Sequence, residues 1–237
     1  MASFVLLHSP SVGPYAWQPV AERLAALEHH VTVPDLRDVV TAAPPYWRHV
    51  VTTASTAVSA MPGDAPLILA AHSNAGLFLP MVAHTSGRRA ALLFVDASVP
   101  HDRGETPMAS PEFLAELRRK AQGDMLPRWS EWWDEKDVAP LFRNDAARSR
   151  FLHEQPQLPL AYFEERVPVP DGWRALPAAY LLFGPPYVEF FERAQTDGWP
   201  VAHVRGEHLH MLVDPDAVVH AIHDLAERIE WTWAANA

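Results

Sequence analysis

The sequence contains no cysteine and only two lysines, Lys120 and Lys136. The absence of thiols excludes a disulfide framework, a thiolate nucleophile and a cysteine-ligated metal site. A formal net charge of -10 disfavours nucleic acid and anionic membranes as partners, because both are themselves negatively charged.

The N-terminus also lacks a basic start, and its apolar run covers only Phe4–Leu7. Such a run is too short for a signal sequence or a membrane span. We therefore expect a cytoplasmic protein that has no membrane contact. Separately, the sequence predicts no cofactor. A homodimer is the default expectation for the oligomeric state.

The 237 residues are 49% hydrophobic, which fits one compact α/β domain with a small insertion. Short and nearly continuous apolar runs are typical of buried parallel strands. Five runs have this character, and a sixth, at Val201–Val204, is weaker. The five are Phe4–Leu7, Val31–Val33, Pro66–Ala70, Ala91–Val95 and Ala178–Phe183.

Helical patterns alternate with these runs, which indicates βαβ units. The predicted helices are Trp17–Leu27, Tyr46–Ala60, Gly76–His84, Tyr187–Asp197 and Asp216–Trp231. Residues 1–100 and 176–237 are thus predicted to form one α/β core, a mostly parallel central sheet flanked by helices.

Residues 101–175 interrupt this alternation with helical patterns and no strand between them, and we interpret them as a helical lid. The predicted lid helices are Pro111–Gln122, Trp129–Lys136, Val138–His153 and Leu160–Val167. The lid also carries the aromatic residues Trp129, Trp132, Trp133 and Phe142. These side chains either pack the lid onto the sheet or also line an apolar substrate pocket.

The stretch from Leu67 to Gly76 runs from an apolar strand into a serine and then into a helical pattern. Small residues, Ala71 and Ala75, stand two before and two after Ser73, as a sharp strand-to-helix turn requires. Such a turn strains the serine and directs the amides of the helix N-terminus towards its oxygen. Ser73 is therefore the candidate nucleophile, and a simple helix N-cap is the alternative.

Several segments together resemble the α/β-hydrolase superfamily. The motifs span residues 4–220 in the family's order, with a variable lid where the family has one. They are Leu6–Trp17, similar to a strand and His-Gly loop; Val33–Arg37, similar to P-D-L-R-G; Ala71–Gly76, similar to G-H-S-x-G-G; Phe94–Asp96; and Gly206–His208, similar to G-x-H. The resemblance implies an α/β-hydrolase fold with a serine nucleophile. His8, His72 and Asp35 match structural residues of the family.

The resemblance places the catalytic histidine at His208, which would take the proton of Ser73. His203 and His210 are competitors for this role. A metal site built from these three histidines lacks a carboxylate and a familiar spacing, so no metal is predicted.

The catalytic acid is less clear. The family often carries it just after the strand Ala178–Phe183, where this sequence has Tyr187. Some members of the family instead carry the acid at the end of the strand after the nucleophile, and the resemblance therefore makes Asp96 the preferred candidate, which preserves the order Ser, acid, His. A structural Asp96 that caps the turn is the alternative, Glu189 and Asp197 are weaker candidates, and a Ser–His dyad remains open.

The oxyanion hole also departs from the family pattern. One donor is expected from the Asn74 amide, but the usual second position is Pro10, which has no N–H. A missing donor costs roughly 2.7–4 kcal/mol of transition-state stabilisation. The hydroxyls of Ser9 or Ser11, or the Ser11 amide, are the candidate replacements. Trp129, Trp132, Trp133 and Tyr187 are the remaining predicted oxyanion or substrate contacts.

The leading functional hypothesis is hydrolysis of an ester, thioester or lactone of a bulky apolar small molecule. The resemblance also extends to lyases and to tailoring enzymes of natural-product biosynthesis, and these are the second hypothesis. Pro10, the alanines on both sides of Ser73 and the tryptophan-rich lid favour it. Such an enzyme would form or cleave C–C bonds or open epoxides, with Ser73 and His208 as acid and base. The usual epoxide hydrolysis needs an aspartate at Ser73. A non-catalytic ligand-binding protein is the third hypothesis.

Overall fold

A computed structural model of the chain describes residues 1–63 and 65–235. Eight strands are present in this part of the chain: β1 (Ser3–Leu7), β2 (His30–Thr32), β3 (Leu67–Ser73), β4 (Ala91–Ala97), β5 (Gly104–Pro107), β6 (Arg166–Val169), β7 (Ala178–Leu182) and β8 (Val201–His203). The six strands predicted from the apolar runs are β1 to β4, β7 and β8, and they form the central sheet.

The central sheet has the strand order β2-β1-β3-β4-β7-β8, and every neighbouring pair is parallel. Its four inner strands, β1, β3, β4 and β7, are buried along almost their whole length. Strands covered on both faces need apolar side chains on both, and this explains why their sequences are continuous apolar runs. The mostly parallel sheet predicted from the sequence is confirmed.

Helices flank the sheet, with α1 packed against α10 and α2 against α3. The α-helices are α1 (Gln18–Ala26), α2 (Tyr46–Ser59), α3 (Leu79–Ser86), α4 (Pro111–Lys120), α5 (Glu135–Val138), α6 (Asp145–Glu154), α7 (Leu160–Glu164), α8 (Val188–Thr196), α9 (His210–Val213) and α10 (Pro215–Ala235). No helix within the described ranges combines the length and hydrophobicity needed to cross a bilayer.

Residues 98–177, here called the inserted segment, connect β4 to β7 and contain α4 to α7. The prediction that no strand lies between His101 and Ala175 is wrong. β5 and β6 form an antiparallel pair. The predicted helix Leu160–Val167 ends at Glu164, and β6 begins two residues later. Each of these strands has four residues, and one of the four is a proline (Pro107 in β5, Pro168 in β6). Neither strand therefore shows the alternation of apolar and polar residues that would predict it.

The carboxyl ends of the parallel strands meet at one edge of the sheet, which is where open α/β sheets place their ligands. Five connections reach this edge near its centre. They are the loop after β1, the turn after β3, the end of β4 and the loops after β7 and β8. The predicted functional residues lie in these connections.

Candidate active site

Ser73 is the last residue of β3, and its backbone has a φ of 61° and a ψ of -137°. A positive φ is unusual for a residue with a side chain and costs about 1–3 kcal/mol, which the surrounding structure must supply. A short 3-10 helix, Asn74–Phe78, follows directly and leads into α3. Ser73 therefore stands at a strained strand-to-helix turn, as the sequence predicts.

Gly76 allows this turn to lie against the end of β4. A methyl group at Gly76 would collide with the carbonyl oxygen of Ser98 and crowd Ala97 and Phe94. The Ser98 amide also donates a hydrogen bond to the Ser73 carbonyl, at 3.1 Å. The close approach at Gly76 thus fixes the turn relative to β4.

The structure brings Ser73, His208 and Asp96 into one hydrogen-bonded row. His208 Nε2 lies 3.1 Å from Ser73 Oγ, and His208 Nδ1 lies 2.6 Å from Asp96 Oδ2. The three residues come from the ends of β3 and β4 and from the loop after β8. This is the geometry of a nucleophile, a base and an orienting carboxylate.

Asp96 is fully buried, and both of its carboxylate oxygens have partners. Oδ1 accepts hydrogen bonds from the backbone amides of Phe183, at 2.9 Å, and Gly184, at 3.2 Å, while Oδ2 faces His208. Its backbone φ of 44° is a second positive value in the site. Two fixed amides therefore determine which oxygen of Asp96 points towards His208.

His72 contacts His208 through a hydrogen bond and through its ring. Its Nε2–H donates to the His208 carbonyl at 2.8 Å, and the two imidazole rings lie 4.3 Å apart. Burial, with a smaller contribution from His208, holds the pKa of His72 well below its usual range. His72 is thus a neutral donor beside the candidate base. Sequence reasoning gave it a structural role, and this contact is compatible with that role.

His8 is also buried, and burial lowers its pKa to about 4. Its Nε2 accepts from the Leu36 amide at 3.1 Å, and its Nδ1–H donates to the Ser9 carbonyl at 2.9 Å. Asp35 forms an ion pair with Arg37. Both residues organise the loops after β1 and β2, which agrees with their predicted structural roles.

Tyr187 reaches the nucleophile from the loop after β7. Its phenol oxygen lies 3.2 Å from Ser73 Oγ, and its ring stacks on the His208 imidazole with 5.2 Å between ring centroids. Burial raises the pKa of Tyr187 to about 12, so the phenol is protonated at neutral pH. The sequence indicated Tyr187 as an oxyanion or substrate contact but gave no sign of this contact with Ser73.

The loop after β1 presents hydroxyl groups to the site. Ser9 Oγ and Ser11 Oγ are 2.8 Å apart, and both residues are buried. The Ser11 amide points to Ser9 Oγ at 3.4 Å, and Pro10 between them has no N–H to offer. The hydroxyls of Ser9 and Ser11 line the same cleft as Ser73 and His208.

The Asn74 side chain is engaged with the inserted segment. Its Nδ2–H donates to the Met108 carbonyl at 2.9 Å, and its Oδ1 accepts from the Tyr162 hydroxyl at 2.6 Å. Burial raises the pKa of Tyr162 well above its usual range, so Tyr162 stays a donor. Sequence reasoning missed Tyr162, which lies 88 residues from Asn74 and has no local signal.

The cleft above Ser73 has a volume of only about 10 Å³. It is lined by Ser9, Ser11, Val12, His72, Ser73, Trp129, His208 and Leu209. Trp129 comes from the inserted segment, and its ring lies 6.2 Å from that of His208. Trp132 and Trp133 do not line this cleft: Trp132 is buried and donates to the Pro127 carbonyl, whereas Trp133 is 42% exposed and stacks on Phe113.

His203 and His210, the competing histidines, face elsewhere. His203 is exposed and lies 3.3 Å from the Phe183 carbonyl, and His210 packs against the Phe183 ring. Within the described residues, His72, Asp96 and His208 are the cluster whose side chains could bind a metal ion. Asp96 Oδ2 and His208 Nδ1 bond each other directly at 2.6 Å, which leaves no room for an ion between them.

Comparison with solved structures identifies the architecture. An extracellular α/β-hydrolase from a Paenibacillus species is similar, with a TM-score of 0.72 and 15% identity over 95% of this chain and 99% of that chain. Polyneuridine aldehyde esterase gives 0.70 and 17% over 95% and 99%. A tomato methylketone synthase I variant complexed with beta-ketoheptanoate gives 0.77 and 12% over 96% and 98%.

No protein-family model and no curated protein sequence matches the chain. Structural likeness at 12–17% identity shows the fold, and it does not carry over an activity. The protein has the α/β-hydrolase fold that its sequence motifs predict, and structures with this fold include esterases and related enzymes.

Proposed function

We propose that this α/β-hydrolase-fold protein is a serine hydrolase that cleaves an ester, thioester or lactone through an acyl-enzyme on Ser73. The observation that supports this most is the hydrogen-bonded row from Ser73 Oγ through His208 to Asp96. A serine hydroxyl attacks a carbonyl only when a base removes its proton, and His208 Nε2 lies at hydrogen-bonding distance. Asp96 then orients His208 and stabilises its charged form.

The direction of the hydrogen bonds follows from the chemistry of the three groups. The ionised carboxylate of Asp96 can only accept, so His208 Nδ1 carries a proton and donates it in a hydrogen bond. In a neutral imidazole the other nitrogen, Nε2, must then be an acceptor. The Ser73 hydroxyl therefore donates to His208, and this is the arrangement in which the base is ready to take the proton.

The negative charge of the tetrahedral intermediate needs donors on the side of the loop after β1. We assign this role to the Asn74 amide together with a hydroxyl of Ser9 or Ser11, because Pro10 has no N–H. The two hydroxyls bond each other at 2.8 Å, so one of their protons is free to turn towards the oxyanion. Such donors contribute most when they are fixed in advance and shielded from water.

The cleft is nearly closed. Its volume of about 10 Å³ is about enough for one water molecule, so an acyl group enters only if the lining side chains move. Because Trp129 covers His208, the bulky apolar substrate predicted from the sequence would need this side chain to move. We propose that the inserted segment acts as a lid in this sense.

Labelling with a fluorophosphonate probe tests the proposed function. We expect one covalent adduct per chain on the peptide that contains Ser73. The probe reacts with a serine whose hydroxyl is activated by a neighbouring base. Ser73→Ala should abolish the adduct. Ser59→Ala, which changes a serine in α2 far from the site, should leave it intact. A native protein that folds but takes up no probe would contradict the proposal.

The second candidate is a non-hydrolytic tailoring reaction, in which Ser73 and His208 act as acid and base without an acyl-enzyme. Pro10 favours it, because a site with one backbone oxyanion donor fewer is less suited to ester cleavage. The methylketone synthase among the similar structures has the same fold. Conversion of a substrate by a protein that resists the probe would favour this candidate over the first.

A further inference from the structure

Tyr187 makes a contact with the nucleophile that the proposed mechanism does not yet use. Its phenol oxygen lies 3.2 Å from Ser73 Oγ, and the stacking of its ring on His208 fixes the position of that oxygen. Ser73 Oγ thus has two polar neighbours, an imidazole and a phenol.

The hydrogen-bond directions identify Tyr187 as the donor in this contact. The only proton of the Ser73 hydroxyl is directed to His208 Nε2, so Ser73 Oγ has lone pairs and no proton left for Tyr187. Burial disfavours the phenolate, as its raised pKa of about 12 indicates, and therefore Tyr187 holds its proton. The resting site is a relay in which Tyr187 donates to Ser73 and Ser73 donates to His208.

The sheet topology places this donor opposite the oxyanion side. In the strand order, β1 is the neighbour of β3 on one side, whereas β4, β7 and β8 lie on the other. Ser9 and Ser11 follow β1, and Tyr187 and His208 follow β7 and β8. Tyr187 consequently approaches Ser73 from the side of His208, the residue that returns a proton to the leaving group in serine hydrolysis.

We propose that Tyr187 is a catalytic residue that donates a hydrogen bond to the leaving-group oxygen of the substrate. This inference rests on the proposed acyl-enzyme function. Ser73 Oγ bonds to the acyl carbon, and its proton moves to His208 Nε2. The bond from the acyl carbon to the leaving oxygen then breaks, and the proton passes from His208 to that oxygen.

Tyr187 keeps its own proton throughout and turns from Ser73 Oγ to the leaving oxygen. An oxygen bonded to the acyl carbon is a poorer acceptor than the free hydroxyl was. The leaving oxygen is bonded to the same carbon and gains negative charge as its bond breaks, and hydrogen bonds to charged oxygens are the stronger ones. The site is therefore suited to esters of aliphatic alcohols, whose alkoxides need such stabilisation most.

Tyr187→Phe tests this role with a series of acetate esters that differ only in the alcohol. Phenylalanine keeps the ring that stacks on His208 and removes only the hydroxyl. For para-nitrophenyl acetate, whose leaving group is stable as a phenolate, we expect kcat/KM to change by less than about threefold. For ethyl acetate we expect a loss of roughly ten- to a hundredfold, the effect of one hydrogen bond to a charged oxygen.

Rates should be divided by the number of sites that react with a fluorophosphonate, so that a poorly folded variant is not mistaken for a slow one. Tyr46→Phe, a buried tyrosine outside the site, is the matched control and should show no dependence on the leaving group. An equal loss for both esters, or no loss, would overturn the role of Tyr187 and leave the acyl-enzyme function standing. A folded native protein that takes up no fluorophosphonate and cleaves no ester, thioester or lactone would overturn both.

Discussion

Asp96→Asn is expected to lower kcat by about 10⁴-fold, the size of effect measured for the same change in serine proteases. The expectation follows from the two backbone amides that Asp96 Oδ1 accepts from, at Phe183 and Gly184. In the variant the amide oxygen would occupy this position, because it is the only acceptor of the new side chain. The amide nitrogen would then face His208 Nδ1.

An N–H donor at this position stabilises the unreactive tautomer of His208. Nδ1 becomes the acceptor and Nε2 carries the proton, so the base can no longer take a proton from Ser73. Asn keeps the shape of Asp and the two backbone hydrogen bonds, and we expect little change in the melting temperature.

Steady-state kinetics on para-nitrophenyl acetate, with thermal melting alongside, measures both effects. Asp134→Asn, at an exposed carboxylate beside Lys136, is the matched control and should retain full activity. If Asp96→Asn keeps the native kcat, Asp96 does not orient the base, and a Ser–His dyad describes the site better.

Gly76→Ala is expected to have the largest effect on stability. The added methyl group would meet the Ser98 carbonyl oxygen, which belongs to the backbone and cannot turn aside as a side chain can. Relief requires the turn after β3 to move away from β4, which breaks the hydrogen bond from the Ser98 amide to Ser73. Overpacking in a core costs about 1–3 kcal/mol, and we place this backbone collision at or above the upper end.

Urea denaturation and the soluble yield measure the effect of Gly76→Ala on the free energy of unfolding. Gly63→Ala is the control, because a methyl group at Gly63 meets nothing within 4 Å and the residue does not need a positive φ. It should be neutral or slightly stabilising. Native stability and native activity in Gly76→Ala would contradict the close packing of the turn against β4.

The sequence predicts the central sheet well because burial on both faces leaves a strong local signal. The strands β1, β3, β4 and β7 are nearly continuous apolar runs, and segments so short are typical of buried strands. β5 and β6 escape prediction for the opposite reason. They pair with each other across some 60 residues, and each shows too few residues for a period.

Ser73 and His208 can be predicted because each stands in a local pattern, a strand-to-helix turn and a glycine-histidine loop. Asp96 follows from the family resemblance, because some members carry the acid at the end of the strand after the nucleophile, and the loop after β7 has Tyr187 where a carboxylate is usual. The hydrogen bonds that join these three residues result from the tertiary fold. They form because the parallel strands end at the same edge of the sheet.

The contacts of Tyr187 and Trp129 could not be predicted from the sequence. Tyr187 meets a serine 114 residues away, and neither residue carries a sign of the other. The size of the cleft depends on how the inserted segment is folded over His208, and this is set by side chains such as Trp129 and not by a motif. The size of substrate that the cleft accepts therefore follows from the folded structure and not from a sequence motif.

The proposed acyl-enzyme requires that the substrate acylates Ser73. Rapid mixing of the native protein with para-nitrophenyl acetate, followed by an acid quench and mass measurement of the intact chain and its peptides, would detect this adduct. We predict one acetyl group on the peptide that contains Ser73, formed in a burst with para-nitrophenol, and none in Ser73→Ala. Turnover with no adduct at any time, or native turnover by Ser73→Ala, would contradict the account.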